Sequence, residues 1–334
     1  MTQHPFSRFV AILGRGKTKQ RHLTYEESFE AMEMLLKGDT HPEQVGAFLM
    51  LLRLKEESPS EIAGFAAGTK ATFNLPDDIP PVDLDWSSYA GKRVQLPWYL
   101  LSALALVGTG YKVFMHGTEG HTPGRVYSRE VLESLGVPIA HSSSEAAAQI
   151  RESGFTYVPL EVMNQRMQDM INLRPILGLR SPVHSFTRML NPFNAPAVMI
   201  GIFHRGFMDI HAGAAQILEE KSFSVFRGDG GEAERRPNKP TQVWTTHGAD
   251  GMDVETWPAM LEAGHAAPDQ TMDISRLGRV WAGQDDDPYG VAAITGTMAI
   301  ALKTMGKADD MKAAQTMADD IWAARDTSRI PASR

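Results

Sequence analysis

The sequence predicts an α/β protein with a small all-helical N-terminal domain. A large α/β domain follows, with a mostly parallel sheet flanked by helices. Three observations carry this. Between residues 23 and 73, apolar residues recur at helical spacing in three consecutive segments, without strand-like alternation. From about residue 82, short apolar runs alternate with helical segments across tight turns, the pattern of parallel strands joined by right-handed crossovers. The 334-residue length exceeds one small core, while 43% apolar and 22% charged residues are globular proportions. The expected division is 1–75 for the helical domain, completed by helices from about 161–192, and 76–334 for the α/β domain.

The elements follow in order. Thr24 with Glu27 three residues on is a capping-box start, Phe29, Met32, Leu35 and Leu36 keep helical spacing, and Gly38 stops the helix. His41-Pro42-Glu43 opens a second helix. Val45, Phe48, Leu49, Leu51 and Leu52 make it apolar nearly all round, so it needs a core on one side and fits a partner subunit on the other. Ser58 caps a third helix, with Pro59 in its first turn. Residues 74–93 form a connection in which Val82, Leu84 and Trp86 alternate as a first strand. Leu100–Val107 is an apolar helix, and Gly108-Thr109-Gly110 turns into a strand at 112–115. The VGTG at 107–110 imitates a phosphate-cradling loop. Such a loop follows a strand and opens a helix, whereas this one does the reverse and reads as a C-cap and turn.

Next come a helix from Ser128 to Leu135, a short strand at Ile139, a helix over 144–152 and a strand at Thr156–Pro159. Residues 161–190 are helical, interrupted at Pro175 and Pro182. A strand at Val198–Phe203, a helix at Gly206–Glu219 and a strand at Phe223–Phe226 lead into RGDGGEAER. Residues 235–280 are mixed and polar, and helices at Val291–Met305 and Asp310–Arg325 close the chain.

The stretch VFMHGTEGHTPGRV (113–126) draws attention for function. A buried strand ends at His116-Gly117, crosses a loop of small residues with Thr118, His121 and Arg125, and enters a helix. Phosphates bind in such places, because backbone N–H groups and the helix dipole converge there. The same residues also fit an ordinary strand–helix connection with solvated side chains. The chain has no cysteine, which removes disulfides, thiolate nucleophiles and thiolate metal sites and fits a reducing cytoplasm. The N-terminus shows no apolar signal core, and no apolar run reaches the ~18 residues of a membrane span. The 11 histidines show no metal-ligand spacing such as H-E-x-x-H. Net charge is −7, but residues 1–22 carry Arg8, Arg15, Lys17, Lys19 and Arg21 and no acid, leaving −12 for the remainder. GRGKTKQRH (14–22) reads as a flexible basic segment of the kind that contacts phosphates, and equally as a solvated arm.

The chain resembles the anthranilate phosphoribosyltransferase family, glycosyltransferase family 3, which also includes pyrimidine nucleoside phosphorylases. The resemblance rests on LTYEESFEAMEMLLKGDTHPEQVGAFLMLLRLKEESPSEIAGF (23–65), on His116-Gly117 followed by VLESLGV (131–137), on LRPILGLRSPVHSFTRMLNP (173–192), and on RGDGGE (227–232). It implies a cleft between the two domains for phosphoribosyl pyrophosphate and Mg²⁺, and a homodimer through the helical domain. It also assigns an acceptor-binding role to Arg174 and metal binding to Glu232 and Glu234. Several motifs depart from the family pattern. WSSYAGKRVQL (86–96) stands where Gly-Thr-Gly-Gly-Asp is expected, keeping Gly91 and offering Lys92 and Arg93. Thr118 and Glu119 replace Asn and Arg, His184 replaces Asn, and Glu232-Ala233 replaces the paired Asp-Glu.

These departures make ordinary anthranilate phosphoribosyltransferase activity improbable. They resemble a divergent branch that binds DNA or RNA with little sequence preference, whose Gly-Arg-Gly-Lys segment matches residues 14–17. That branch implies phosphate contacts by Arg15, Lys17, Lys19, Lys92, Arg93, His116, Gly117, Thr118, Arg125, Arg174, Arg235 and Arg236. Trp86, Tyr89 and Trp98 fit either base stacking or the core. The alternative is a Mg²⁺-dependent phosphoribosyl or pentosyl transferase with a changed donor or acceptor.

Overall fold

Capping chemistry sets the helical unit. The computed structural model describes residues 2–16, 18–262, 269 and 271–330. α1 spans Ser7–Gly14, α2 Tyr25–Lys37, α3 Pro42–Lys55 and α4 Pro59–Lys70. Thr24 and Glu27 form the reciprocal capping box of α2, and Ser58 with Glu61 forms that of α4. Glu61 is buried, and its carboxylate also accepts from the Leu23 N–H at 2.9 Å and from Lys55 at 3.0 Å, which ties α4 to the entry of α2. The segment before residue 22 is more ordered than its composition suggests. α1 buries Phe6, Phe9 and Leu13, and Arg21 pairs with Glu27. Aromatic rings run from Phe6 through Phe48 and Phe65 to Phe186, so the unit's core reaches into the segment after residue 160.

The second layer begins with β1 (Leu84–Ser88), α5 (Tyr99–Gly108), β2 (Val113–Gly117), α6 (Ser128–Ser134), α7 (Ser143–Ser153) and β3 (Phe155–Pro159). Four short helices follow: α8 (Leu160–Met163), α9 (Gln165–Asn172), α10 (Arg174–Leu177) and α11 (Val183–Phe186). Then come β4 (Ala197–Ile202), α12 (Met208–Ile217), β5 (Ser222–Arg227), β6 (Thr241–His247), β7 (Gly251–Trp257), α13 (Ser275–Trp281), α14 (Pro288–Thr304) and α15 (Met311–Ala323). The sheet order is β3-β2-β1-β4-β5-β6-β7. The first five strands are mutually parallel, and β6 and β7 add antiparallel to β5.

Side-chain alternation divides the core between the sheet's two faces. Phe114, Val198, Ile200 and Val225 pack toward the helical unit with α7, α9 and α12. Trp86, Met115, Tyr157 and Met199 pack toward α5, α14 and α15. Trp86, Tyr89 and Trp98 are all buried, which removes them as base-stacking platforms.

Four expectations change. Ile139 is not in a strand; the segment keeps one ladder-like bond, from the Ala140 N–H to the Tyr157 carbonyl at 3.0 Å. The helix expected from Gly206 starts as a 3₁₀ turn and becomes α-helical at Met208. Residues 161–190 are four separate turns, because Asn164 is extended and Gly178 is left-handed. The polar 235–280 region contains the β6–β7 hairpin. Its half-exposed, polar strands, with β7 at the sheet edge, leave no apolar alternation strong enough to read.

Gly117 at the end of β2 is fixed by packing. A Cβ there would sit 2.1 Å from the Ser88 carbonyl oxygen of β1. Gly117→Ala should therefore cost about 3 kcal/mol of stability, read from urea unfolding. An unchanged midpoint would show that β1 and β2 can separate.

Candidate anion-binding site

Loops leaving the carboxyl ends of parallel strands build the site. Chain order reverses between β1 and β4, and open α/β sheets bind ligands at the carboxyl ends beside such a switch point. Four loops meet there: residues 89–92 after β1, 118–125 after β2, 203–204 after β4 and 228–235 after β5.

Two of these loops are stapled together by buried charges. The Lys92 side chain is fully buried and ion-paired with both Asp229 and Glu234. Burial works against that charge, but Glu234 and Asp229 outweigh it and hold the ammonium well above its ordinary value. The second oxygen of Glu234 accepts from the Tyr99 N–H at 2.9 Å, at the start of α5. Beside this cluster, Glu232 Oε1 accepts from the N–H groups of Ala90, at 2.6 Å, and Gly91, at 2.5 Å. Gly91 is in the left-handed region (φ 67°), which turns its N–H inward. A carboxylate of the protein thus fills the backbone nest after β1, and an ammonium of the protein lies between the carboxylates after β5.

The residues anticipated as metal ligands therefore do not fit Mg²⁺. Glu234 is saturated by Lys92 and Tyr99, and Glu232 keeps a single unpartnered oxygen. No group of three or more His, Cys, Asp or Glu able to hold a metal occurs among the described residues. Lys92 is likewise lost as a phosphate contact, since its only outlets are carboxylates.

His116 is relocated as well. It is fully buried at the end of β2, with Nε2–H donating to Asp85 Oδ1 at 3.1 Å and Nδ1 accepting from the Tyr89 hydroxyl at 2.7 Å. Both ring nitrogens are used inside the fold, so it presents nothing to a phosphate. Gly117 packs on β1, and the buried Thr118 donates to Gln168 at 2.5 Å. Arg235 is a strut: it is buried, bonded to the Pro258 carbonyl at 2.5 Å and stacked 5.0 Å from the Trp257 ring. Burial pushes its guanidinium down to about 10. Arg15, Lys19 and Arg93 are exposed and Arg236 is half-buried. Lys17 lies outside the described residues. Glu119 is ion-paired with Arg129, which also holds Glu161, and burial pushes Glu119 up to about 7.

A different group of cations converges on the 118–125 loop. Arg174 and Arg180 share the Thr122 hydroxyl, at 2.9 and 2.8 Å. Arg125 donates to the carbonyls of Ala90 and Gly91 at 2.7 and 3.1 Å, and the buried Arg188 to that of Gly231 at 3.2 Å. Among the described residues, none of these four arginines has a carboxylate within ion-pair distance. Burial and mutual repulsion lower Arg180. In their midst the rings of His121 and His184 lie 5.2 Å apart. Burial, then the neighbouring positive groups, pushes them down to about 2 and about 3. Both nitrogens of His121, Nε2 of His184 and the hydroxyl of Ser181 are buried without partners. A cavity of about 140 Å³ opens here, lined by Arg53 of α3, Tyr89, Arg180, His184, Arg188 and Phe203. A larger one, about 240 Å³, lies by Lys70, Asn191 and Glu220 before β4 and β5 begin, away from the strand ends that form sites.

Residues 11–71 match the helical bundle domain of the glycosyl transferase family, and residues 99–323 match its a/b domain. The chain belongs to glycosyltransferase family 3. It is 29% identical over 227 residues to an anthranilate phosphoribosyltransferase of Desulfitobacterium hafniense, covering 68% of this chain and 67% of that one. It is 30% identical to one of Sulfolobus acidocaldarius, covering 68% and 65%. Two solved structures share the fold. The anthranilate phosphoribosyltransferase of Thermus thermophilus has a TM-score of 0.79 at 21% identity, covering 96% of this chain and 95% of that one. The enzyme of Saccharomyces cerevisiae, in complex with phosphoribosyl pyrophosphate and Mg, has a TM-score of 0.80 at 18% identity, covering 98% and 96%. No helix among the described residues is long and apolar enough to cross a membrane.

Sequence reasoning missed Arg53, Ser181, Arg188 and Phe203 because they come from three separated segments. The one available signal was the density of arginines in LRPILGLRSPVHSFTR.

Lys92→Met should cost about 3–5 kcal/mol in chemical denaturation, because it strands two carboxylates. A loss below ~1 kcal/mol would mean that water reaches them. The histidines give an acid signature. Their folded values lie below the unfolded ~6.5, so their contribution is complete above that pH and is lost as pH falls toward about 3. Between pH 7.5 and 5 the wild type should lose about 2 kcal/mol per histidine relative to the His121→Asn/His184→Asn variant. Parallel pH profiles would refute the burial of neutral rings.

Proposed function

We propose that this protein binds single-stranded DNA or RNA with low sequence specificity, through the arginine-lined crevice at the sheet switch point. The observation that carries this reading is the set of four guanidiniums, Arg125, Arg174, Arg180 and Arg188, without a carboxylate partner. Converging cations with no carboxylate within ion-pair distance among the described residues favour a polyanionic ligand, and arginine pairs with phosphate in a fixed fork. The self-filled nest and carboxylate cluster speak against the alternative, a Mg²⁺-dependent phosphoribosyl or pentosyl transferase. Family membership supports that alternative. The exposed Arg15, Lys19 and Arg93, which make no ion pair among the described residues, suit further contacts to a flexible backbone. We also propose a cytoplasmic homodimer joined through the helical unit. α3 supports it with Leu54 85% exposed beside half-buried Met50 and Leu51.

Fluorescence anisotropy of a labelled single strand tests the reading from ~50 to ~300 mM salt. The logarithm of affinity should fall linearly with the logarithm of salt concentration, and Arg125→Gln or Arg174→Gln should each lower the slope by about one. Sedimentation of the same samples should give a dimer; a monomer would remove that part. Absence of binding at ~50 mM salt, with thermal stabilisation by phosphoribosyl pyrophosphate and Mg²⁺, would decide for the transferase.

A further inference from the structure

The cavity between α3, α11 and the loop after β4 differs from the open crevice around it. Three guanidiniums line it, from Arg53, Arg180 and Arg188, together with the Ser181 hydroxyl and the His184 ring. Ser181 and His184 are more than nine-tenths buried, and Ser181 Oγ and His184 Nε2 have no partner. His184 Nδ1 donates to the Ser181 carbonyl at 3.2 Å, which leaves Nε2 as a lone pair. Tyr89, Ser185, His204 and His211 line it too, but the two buried atoms left without a partner are a hydroxyl that can donate or accept and one ring acceptor, beside charged donors.

That donor–acceptor pattern separates two kinds of phosphate. An internal phosphodiester carries one charge and only acceptor oxygens, so it satisfies the arginines and leaves His184 Nε2 bare. A phosphate monoester has its second pKa near 6. It can bring a P–O–H for Nε2 to accept, or lend its second negative charge to three guanidiniums. Size agrees. About 140 Å³ is below the roughly 300 Å³ at which sites for whole small ligands begin, and suits one phosphate group with the rest of the ligand outside. Beside the pocket stands Phe203, 52% exposed, with the Arg227 guanidinium 5.9 Å from its ring centroid. It is an aromatic face open to a base next to that phosphate.

We propose that this pocket is a subsite for a phosphate monoester, taking the terminal phosphate of a nucleic-acid strand while Phe203 stacks the terminal base. The assignment rests on the nucleic-acid reading above, and its test separates the two. Oligonucleotides of one sequence are prepared with a 5′-phosphate, a 3′-phosphate or hydroxyls at both ends. Their affinities are compared at fixed ionic strength, beside thymidine 5′-monophosphate and inorganic phosphate titrated by calorimetry. One phosphorylated end should bind about tenfold tighter than the hydroxyl-ended strand, the worth of one charge-assisted contact pair. The ratio between the two should collapse toward one in Arg53→Gln and in Ser181→Ala. Phe203→Ala should lower the ratio while leaving inorganic phosphate binding as it was. Strands that bind equally well whatever their ends would overturn the subsite and leave the general reading standing. No strand binding at all would overturn the general reading. Inorganic phosphate or the mononucleotide binding more tightly than the phosphorylated strand would identify a free-phosphate site and overturn the strand-end assignment.

Discussion

A buried ammonium among carboxylates organises this molecule. Lys92 sits with no solvent exposure between Asp229 and Glu234, far apart in the chain and adjacent in space. Burying an ion alone is very costly, and a pair recovers the loss only when geometry is close and the remaining lone pairs are satisfied. Here Glu234 also receives the Tyr99 N–H, while Glu232 receives those of Ala90 and Gly91. The loops after β1 and β5 are thereby locked to each other and to the start of α5. Their fixed position presents the Ala90, Gly91 and Gly230 carbonyls to Arg125, and the Gly231 carbonyl to Arg188. One electrostatic cluster is closed around a single ammonium, and the carbonyls of its loops orient a second cluster made of arginines.

The two clusters show how local charge balance sorts similar residues into different roles. Lys92 and Arg235 are cations on paper and structural parts in space, one ion-paired and one stacked on Trp257. Arg174 and Arg180 are held by a threonine hydroxyl, which orients them without cancelling their charge. Neutral His121 and His184 fit the same field, since a protonated imidazole among arginines would be repelled and poorly solvated.

Much of the fold was legible in the sequence, because its signals are local. The Thr24–Glu27 and Ser58–Glu61 boxes, Gly38 as a stop and the apolar runs of β2, β4 and β5 each depend on residues a few positions apart. The VGTG turn was legible for the same reason. The β6–β7 hairpin was not, since its strands are half-exposed and mixed in polarity, with β7 at the sheet edge. The site was harder still. Charge in a sequence suggests surface, and nothing near Lys92 announces that Asp229 and Glu234 will surround it. His116 in a glycine-rich loop resembles a ligand-binding group until Asp85 and Tyr89 are seen on its two nitrogens. Phe203 carries no motif; its exposure follows from where β4 ends.

The ion cluster also constrains which substitutions this chain can accept. Building a cation site here needs Lys92 removed, and the carboxylates freed by that step would stay uncompensated until metal-binding geometry formed around them. Emptying the nest likewise needs Glu232 replaced while Ala90 and Gly91 still direct their N–H groups inward. Each first step lowers stability before any new ligand can restore it. A metal-dependent donor site here therefore lies along an uphill path of coupled substitutions, and drift alone preserves the filled nest.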